Sequence, residues 1–321
     1  MMPSRLSDGH VPLGDIAALG ARSERHEDLR NAARDGNVME VRRTLDQPSV
    51  DVDAVSLQGR TALMLAAMRG NVDCVRELLD RGARLDAKCG LGWSALIYAA
   101  MDGRDACVQL LLEKHAKPGV RGNAGKTALW VAARYGHDAC VLLLLEHGAD
   151  QTELEDGMHT PLMKLVRTSC EKSVCWALKH GADAKATRSY DGATAMHILA
   201  SSSRFGPRGH RDWKTLNILQ LLVRFDSPIG AVDECGNTAL DLVAKGERSG
   251  GHQLDLLELF LLNGADINRL AHDKNGRATA IMELMWSHED GAGIEAAFVE
   301  STLVLNGGKL SAQHIVRCLL E

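Results

Sequence analysis

A hydroxyl side chain returns at a constant interval in the middle of this chain, at Thr61, Ser94, Thr127 and Thr160. Other columns keep the same interval, with the members Ala66, Ala99 and Ala132; Gly70, Gly103 and Gly136; Val75, Val108, Val141 and Val174; and Leu79, Leu112, Leu145 and Leu178. A fixed period over several columns is typical of repeat proteins, in which each unit buries its apolar face against its neighbours. The sequence therefore predicts a stack of similar units.

Each unit has the pattern of two short helices joined by turns. Thr61 offers a side-chain oxygen that caps a first helix, Leu63 lies on the apolar face of that helix, and Gly70 ends it. A second helix is predicted from about 71 to 80, and Gly82 follows it as a residue that accepts left-handed backbone. The units are therefore predicted to form an all-α protein.

The repeat resembles that of the ankyrin repeat family, whose unit of about 33 residues carries a Thr-Pro-Leu-His signature. The signature is present as Thr160-Pro161-Leu162-Met163 and as Thr194-Ala195-Met196-His197, and a typical unit ending is present as Leu-Leu-Glu-His-Gly-Ala-Asp at 144 to 150. The resemblance implies an all-α ankyrin repeat solenoid of stacked helix-turn-helix units, with short β-turn fingers between the units.

Two departures from the family pattern are local. The signature histidine is replaced in most units, by Met64, Ile97, Trp130 and Met163, so the hydrogen bond between Thr and His is expected to be lost there. His115 and Asp226 stand where other units have the capping glycine, and these residue types accept positive φ better than most.

The spacing also predicts the organisation of the whole chain. The interval from Thr194 to Thr238 is longer than the regular one, so the unit between them holds an insertion, and a smaller one follows. The predicted segments are a flexible N-terminal arm at 1–23, a degenerate capping unit at 24–57, four regular repeats at 58–187, three divergent repeats at 188–310 with insertions near 201–213 and 246–251, and a C-terminal capping helix at 311–321.

Composition and charge narrow the classes of partner. The chain has 321 residues with a net charge of -5, so no strong positive field would collect nucleic acid. No apolar run approaches the roughly 20 residues that span a bilayer, and the N-terminus lacks a signal-peptide pattern. We therefore expect a cytoplasmic protein, with a nuclear location as the alternative, that neither binds nucleic acid nor inserts into a membrane.

Two glycine motifs resemble nucleotide-binding signatures. Gly90 to Ala95 fits G-x-G-x-x-A, but the preceding segment is not the buried strand that this motif requires. Gly125-Lys126-Thr127 resembles the end of a phosphate-binding loop, yet the position of its first glycine holds Val120. Both are interpreted as repeat turns. Because no catalytic signature flanks a nucleophile either, we expect no cofactor and no enzymatic activity.

The eight cysteines are interpreted as reduced thiols that bind no metal. Cys74, Cys107 and Cys140 are again spaced by the repeat interval, which places one of them on the second helix of each successive unit. Packed helix axes lie about 8 to 10 Å apart, too far for a shared tetrahedral ion. Cysteine is therefore expected here as a small buried apolar residue.

The resemblance implies a partner-binding groove, made of the fingers and of the exposed face of the first helices. Its contact positions are occupied here by large aromatic, methionine and arginine side chains, the types that dominate interface energetics, together with smaller polar ones. The candidate residues are Arg60, Met68, Arg69, Leu91, Trp93, Met101, Asp102, Asn123, Lys126, Arg134, Tyr135, His159, Arg167 and Tyr190, with Leu57 at an equivalent position.

Three functions can be compared for this surface. The leading prediction is a protein-interaction scaffold or adaptor, monomeric on its own, that binds a protein or an acidic and hydrophobic peptide. The alternative is a structural component of a large cytoskeletal or other assembly, and an enzyme regulated by repeats would need a catalytic domain for which this length leaves no room. Trp130 and Trp176 are expected in the core. The basic loop from Ser201 to Trp213 is expected to be a tolerated surface excursion, with a second contact site as the alternative.

Overall fold

The computed structural model describes residues 13–154, 159–201, 213–244, 256 and 259–266. Its helices, in chain order, are α1 (Leu13–Asp35), α2 (Val38–Leu45), α3 (Ala62–Arg69), α4 (Val72–Asp80), α5 (Ala95–Met101), α6 (Asp105–Glu113), α7 (Ala128–Tyr135), α8 (Asp138–Glu146), α9 (Pro161–Arg167), α10 (Glu171–Lys179), α11 (Ala195–Ser201), α12 (Trp213–Arg224) and α13 (Ala239–Ala244). A 3-10 turn spans Gln151–Leu154. The all-α ankyrin arrangement of paired, stacked helices is confirmed.

The helix boundaries follow from the capping residues of the repeat. The hydroxyl of Thr61 accepts a hydrogen bond from the Met64 N–H at 3.3 Å, and Thr160 caps α9 in the same way. Gly70 ends α3 with a φ of 83°, a conformation that costs glycine little. His115 and Asp226 have φ values of 68° and 57°, so these two residues replace the capping glycine as the sequence predicts.

The chain divides into two compact units. Unit 1 comprises Met1–Ala132 and Ala139–Asp150, and unit 2 comprises Ala133–Asp138 and Gln151–Glu321. In unit 1, α3 packs against α1 and α5, while α4 packs against α2 and α6. In unit 2, α11 packs against α9 and α13, and α10 packs against α12. Each unit therefore builds its core by stacking helix pairs, with small alanine side chains such as Ala66 and Ala99 fully buried between them.

The fingers of unit 1 are turns that are hydrogen-bonded within themselves and to each other. Ser56 N–H donates to Arg60 O, and the turn is closed by Gly59 N–H, which donates to Ser56 O. The next finger joins this one through Gly90 N–H, which donates to Gln58 O at 3.1 Å. The third finger joins the second in the same register, through Asn123 N–H and Leu91 O at 3.0 Å. This ladder fixes the positions of the finger side chains.

The N-terminal boundary differs from the prediction. Helix α1 begins at Leu13, so residues 13 to 23 are helical and do not belong to a flexible arm. These residues contain no proline and include several alanines and leucines, which are strong helix formers. Helix α1 therefore continues through the place where the other units have a finger.

The insertion near 201–213 is placed between the end of α11 at Ser201 and the start of α12 at Trp213, and its interior lies outside the described residues. The insertion near 246–251, most of the last divergent repeat and the capping helix at 311–321 also lie outside them. The boundaries proposed for these segments remain predictions.

Candidate functional site

The predicted contact residues fall on two surfaces, one in each compact unit. The unit 1 face consists of Arg60, Met68, Arg69, Leu91, Trp93, Met101, Asp102, Asn123 and Lys126, and the unit 2 face consists of Arg134, Tyr135, His159, Arg167 and Tyr190. On the unit 1 face, the fingers supply the residues next to the N-terminal ends of the first helices. Met68, Arg69 and Met101 lie at the C-terminal ends of α3 and α5, and Asp102 follows directly.

A polar cluster lies at the base of the first two fingers. Arg60 Nε–H donates a hydrogen bond to the Tyr98 hydroxyl at 3.1 Å, and its guanidinium lies over the Tyr98 ring, 5.4 Å from the centroid. The same hydroxyl is 3.3 Å from the sulfur of Cys89. Since the Tyr98 oxygen accepts from Arg60, its own proton is available to the sulfur. The cluster is buried except for the side chain of Arg60, which is partly exposed.

This cluster changes the acidity of Cys89. Burial by itself would raise the pKa of the thiol, but hydrogen bonds from the Tyr98 hydroxyl and from the Leu91 and Trp93 N–H groups lower it, and so does the charge of Arg60. The net result is a Cys89 pKa below its ordinary value. Burial raises the pKa of Tyr98, so this phenol stays neutral and can donate.

Trp93 is only partly exposed, because it packs on two sides. Its ring meets the Tyr98 ring edge-on at a centroid distance of 5.4 Å. On the other side, a Cβ added to Gly122 would lie 2.7 Å from Trp93 Cδ1, so the indole lies directly against the next finger. Trp93 therefore takes part in packing as well as standing at a predicted contact position. The finger ladder brings Gly122 close enough to cover part of the indole.

Other members of the unit 1 face are presented more openly. Leu91 is 55% exposed at the tip of its finger. Asn123 is exposed, although its side-chain amide donates to Gly90 O at 3.0 Å and so reinforces the ladder. Lys126 Nζ lies 3.9 Å from the centroid of the Trp130 ring, a cation–π contact that holds the ammonium group near the finger. Met68, Met101 and Asp102 are partly exposed, and Arg69 is exposed.

The unit 2 face contains two exposed aromatic residues, Tyr135 and Tyr190, and one buried candidate. Tyr135 is 58% exposed and stacks on His137 with a centroid distance of 6.4 Å. His159 is only 9% exposed, and its Nε2 accepts a hydrogen bond from Arg188 at 3.0 Å. The placement of His159 among solvent-facing residues is thus corrected, since the Arg188 side chain extends across to it.

Arg188 also organises the finger that carries Tyr190. Its guanidinium forms an ion pair with both carboxylate oxygens of Asp191 and lies 4.5 Å from the centroid of the exposed Tyr190 ring. Arg134 is exposed and Arg167 is partly exposed. Arg188 was not among the predicted site residues. The sequence feature that could have indicated Arg188 is its long cationic side chain, at a finger position that holds serine, cysteine or glycine in the fingers of unit 1.

Tyr98 was also missed by the sequence analysis. Its column holds Leu65 and Val131 in the neighbouring repeats, so the position reads as an ordinary apolar site of the first helix. A tyrosine there carries a hydroxyl that must find a partner when the ring is buried. That requirement, together with Arg60 and Cys89 in the adjoining fingers, was the only sequence signal for the cluster.

The two tryptophans expected in the core are both partly exposed. Trp130 lies below Lys126, and Trp176 stacks on His180 with a centroid distance of 3.9 Å. Each ring therefore packs against a side chain four residues away in sequence, because an indole at a short surface helix is too large to be covered fully by the neighbouring units.

The cysteine column forms a ladder between repeats. The Cys140 thiol donates to Asp105 at 2.9 Å, and Ser173, which continues the column in unit 2, donates to Asp138 at 2.5 Å. Burial raises the pKa of Cys107 to about 11, so this thiol stays protonated. Within the part of the chain that the structure describes, no three His, Cys, Asp or Glu side chains are grouped so as to hold a metal ion. The absence of a bound metal remains a prediction.

No helix among the described residues is long and apolar enough to cross a bilayer.

The sequence matches the family model "Ankyrin repeats (3 copies)" at residues 29–122, 86–155 and 115–188, and the model "Ankyrin repeat" at residues 235–272.

Curated relatives are similar over shorter stretches. Ankyrin repeat domain-containing protein 29 is 46% identical in Homo sapiens and 44% identical in Danio rerio, each over 55 residues, or 17% of this chain and 18% of the relative. Cortactin-binding protein 2 of Mus musculus is 34% identical over 87 residues, or 27% of this chain and 5% of that protein. The matched segments thus span less than a fifth of the length of these relatives.

A solved structure, that of the human ASB11 ankyrin repeat domain, superposes with a TM-score of 0.54. It is 22% identical in sequence, and the similarity covers 74% of this chain and 98% of that one. This likeness concerns the fold alone. Since the family models together match more than half of the residues, the chain belongs to the ankyrin repeat family.

Proposed function

We propose that this chain is a non-enzymatic scaffold or adaptor that binds a partner protein through the unit 1 face. Ankyrin repeat domains are generally protein-interaction modules and are typically non-enzymatic, and no catalytic domain is identified in this chain. The specific partner and the role of the complex are our proposal.

One observation carries this proposal: a large apolar side chain is presented to solvent among cations that are already held in place. Leu91 is more than half exposed at its finger tip, and Trp93 follows two residues later in the same finger. Arg60 and Lys126 occupy the equivalent position in the fingers on either side of Trp93. Because the aromatic rings of Tyr98 and Trp130 hold these two cations, a partner would meet a pre-organised surface.

The chemistry of the face favours an acidic and hydrophobic peptide. Apolar partner residues would cover Leu91 and the exposed edge of Trp93, and carboxylates would pair with Arg60, Arg69 or Lys126. Asp102 is the one acidic member of the face, at the far end of α5. Within unit 2, Tyr135 and Tyr190, with Arg134 and Arg167, offer the same combination of aromatic and cationic groups.

The proposal also covers the cofactor requirement, the oligomeric state and the location of the chain. We propose that it acts without a cofactor, is monomeric on its own, and works in the cytoplasm, with the nucleus as the alternative location. Nucleic acid is not proposed as a partner, because the net charge of the chain is -5.

The test is affinity capture from a soluble extract with the full chain as bait, followed by mass spectrometry. We expect one or two stoichiometric proteins that are retained by the native chain and lost with Leu91→Ala or with Lys126→Glu. Met39→Ala is the matched control, since Met39 is also an exposed apolar residue but lies on α2, away from the fingers. Equal retention by all variants would overturn the assignment of the unit 1 face.

The same experiment distinguishes the alternative, a structural component of a large cytoskeletal or other assembly. In that case the chain would sediment with a polymer fraction instead of with one or two soluble proteins. Sedimentation of the extract before capture separates these two outcomes.

A further inference from the structure

The first finger of unit 1 leaves an unpaired backbone donor at its outer edge. Each later finger donates one N–H to the finger before it, from Gly90 to Gln58 O and from Asn123 to Leu91 O. The residue that corresponds to Gly90 and Asn123 in the first finger is Leu57, which lies one repeat interval before Gly90. Within the described part of the chain, the Leu57 N–H donates to no acceptor.

The reason for this unpaired edge is the length of α1. Gly36 and Gly70 are equivalent helix ends in successive units, so residues 22 to 26 stand where a preceding finger would be. In the structure these residues belong to α1. The ladder of fingers therefore starts at Leu57. Its N–H stands at the position that the N–H groups of Gly90 and Asn123 have in the following fingers.

The side chains at this edge are apolar and exposed. Leu57 is fully exposed and Val55 is 57% exposed, and only Ser56 separates them. Two exposed apolar residues beside an unpaired N–H are an unusual combination, because proteins commonly protect such edges with charges or with proline. An extended segment of another chain could pair with the N–H and cover both side chains.

The neighbouring face of α1 carries arginines, with the Asp51 carboxylate close to them. The Asp51 N–H donates to His26 Nε2 at 3.1 Å, so this part of α1 lies beside the segment that leads into the first finger. Arg22 and Arg30 stand one helical turn before and after His26 on the same side of the helix. Asp53, on the same segment, is already paired with Arg84.

A further observation comes from Arg25 in the same turn of α1. Its Nε is shielded from solvent and has no hydrogen-bond partner. A buried guanidinium nitrogen without an acceptor is costly, and a carboxylate is its preferred partner.

We propose that the open edge of the first finger, formed by Val55, Ser56 and Leu57, binds an extended acidic peptide segment of a partner protein as an added finger. The partner's backbone carbonyl accepts the Leu57 N–H, its apolar residues cover Val55 and Leu57, and its carboxylates pair with Arg22, Arg25 and Arg30. This site is separate from the unit 1 face and does not depend on the function proposed for that face.

The test uses the full chain and a labelled ten-residue peptide in which valine alternates with glutamate, with a valine and lysine peptide as the charge control. Backbone amide exchange is followed by NMR. In the free monomer, the Leu57 amide should exchange freely while the Gly90 and Asn123 amides are protected. The acidic peptide should slow exchange at Leu57, and the basic peptide should not.

Two substitutions at one position separate the backbone donor from the side chain. Leu57→Pro removes the N–H, and proline is favoured at the second position of the turn from Ser56 to Gly59. Leu57→Ala keeps the N–H and removes most of the side chain. We expect Leu57→Pro to weaken peptide binding about tenfold or more relative to Leu57→Ala, with unchanged far-UV circular dichroism for both.

Several outcomes would overturn the proposal. Equal affinities of the two variants would show that the N–H is not used, and no binding of the acidic peptide at about 1 mM would show that the edge is not a site. Protection of Leu57 in the free monomer would mean that the chain covers its own edge, and protection that appears only with dimerisation would indicate a second copy. Met39→Ala on α2 should leave the peptide-induced protection of the Leu57 amide unchanged, and this protection reports binding at the open edge and not at the unit 1 face.

Discussion

Arg60 and Tyr98 are joined by a hydrogen bond of 3.1 Å between side chains of adjacent repeats, 38 residues apart in sequence. The guanidinium donates to the phenolic oxygen, and the phenol in turn lies 3.3 Å from the Cys89 sulfur. Arg60 stands at a finger position that the family resemblance assigns to partner contact. The buried side chain of Tyr98 holds it in place. The lowered pKa of Cys89 and the placement of Arg60 both involve the Tyr98 hydroxyl.

Replacing Tyr98 with phenylalanine should raise the pKa of Cys89. The substitution keeps the ring but removes the hydroxyl that stabilises the thiolate, while the burial that opposes ionisation stays. The rate of iodoacetamide labelling of Cys89 as a function of pH, followed by peptide mass spectrometry, gives this pKa. Cys107 labelling serves as the internal control, because Tyr98 is not among the groups that shift the pKa of that thiol. An unchanged pH profile for Cys89 would contradict the assigned role.

Asp138→Ala should lower the free energy of unfolding by about 1 to 3 kcal/mol. Its carboxylate accepts the N–H groups of Lys172 and Ser173 and the Ser173 hydroxyl, so the start of α10 would lose three partners. Chemical denaturation of Asp138→Ala, Ser173→Ala and the double variant gives the coupling. Asp105→Ala is the matched control at the same column, and it should cost less because it loses only a weak thiol donor. If Asp138→Ala and Asp105→Ala lower the free energy of unfolding equally, the number of hydrogen bonds lost does not determine the cost of the substitution.

Leu129→Ala and Leu91→Ala should separate stability from binding. Leu129 is fully buried in α7, so its truncation leaves a cavity and should cost roughly 2 to 5 kcal/mol. Leu91 is exposed at a finger tip, and its truncation should change stability by less than about 0.5 kcal/mol while it weakens capture of the partner. Thermal melts paired with the capture assay measure both quantities. Early melting of Leu91→Ala would mean that the tip supports the ladder.

The stability of the chain should fall as the pH drops below about 6.5 through the titration of His26. Burial, and the charges of Arg22, Arg30 and Arg25, lower the pKa of His26, although Asp51 opposes the shift. The unfolded chain therefore binds a proton more readily than the folded one, and stability rises with pH across this window. Protonation would also remove the acceptor of the Asp51 N–H. His26→Gln does not titrate and should show a shallower pH dependence in urea denaturation between about pH 5 and 8. Identical slopes would argue against a contribution from His26.

All eight cysteines should be reduced, and the purified chain should contain no stoichiometric zinc. The described column members Cys74, Cys107 and Cys140 are fully buried free thiols on α4, α6 and α8, the second helices of successive repeats. Thiol counting under denaturing conditions and elemental analysis test the two parts independently. One equivalent of zinc, or fewer than eight titratable thiols, would require a different interpretation of the column.

The helices and their ends can be predicted from the sequence, because they depend on neighbours close in the chain. Thr61 caps a helix three residues away, Gly70 ends the same helix, and His115 adopts the left-handed conformation at a repeat end, all as the repeat spacing predicts. The sequence also indicated which residues the fingers carry.

The exposure of those finger residues depends on contacts between repeats, which the sequence did not predict. Trp93 is partly covered because the ladder of fingers brings Gly122 against its indole, and His159 is buried because Arg188 extends to it from the next finger. Helix α1 continues through the place of a finger and so leaves Leu57 as the start of the ladder. These contacts join residues of different repeats, and a repeat pattern fixes the spacing of such residues without fixing which side chains cover each other.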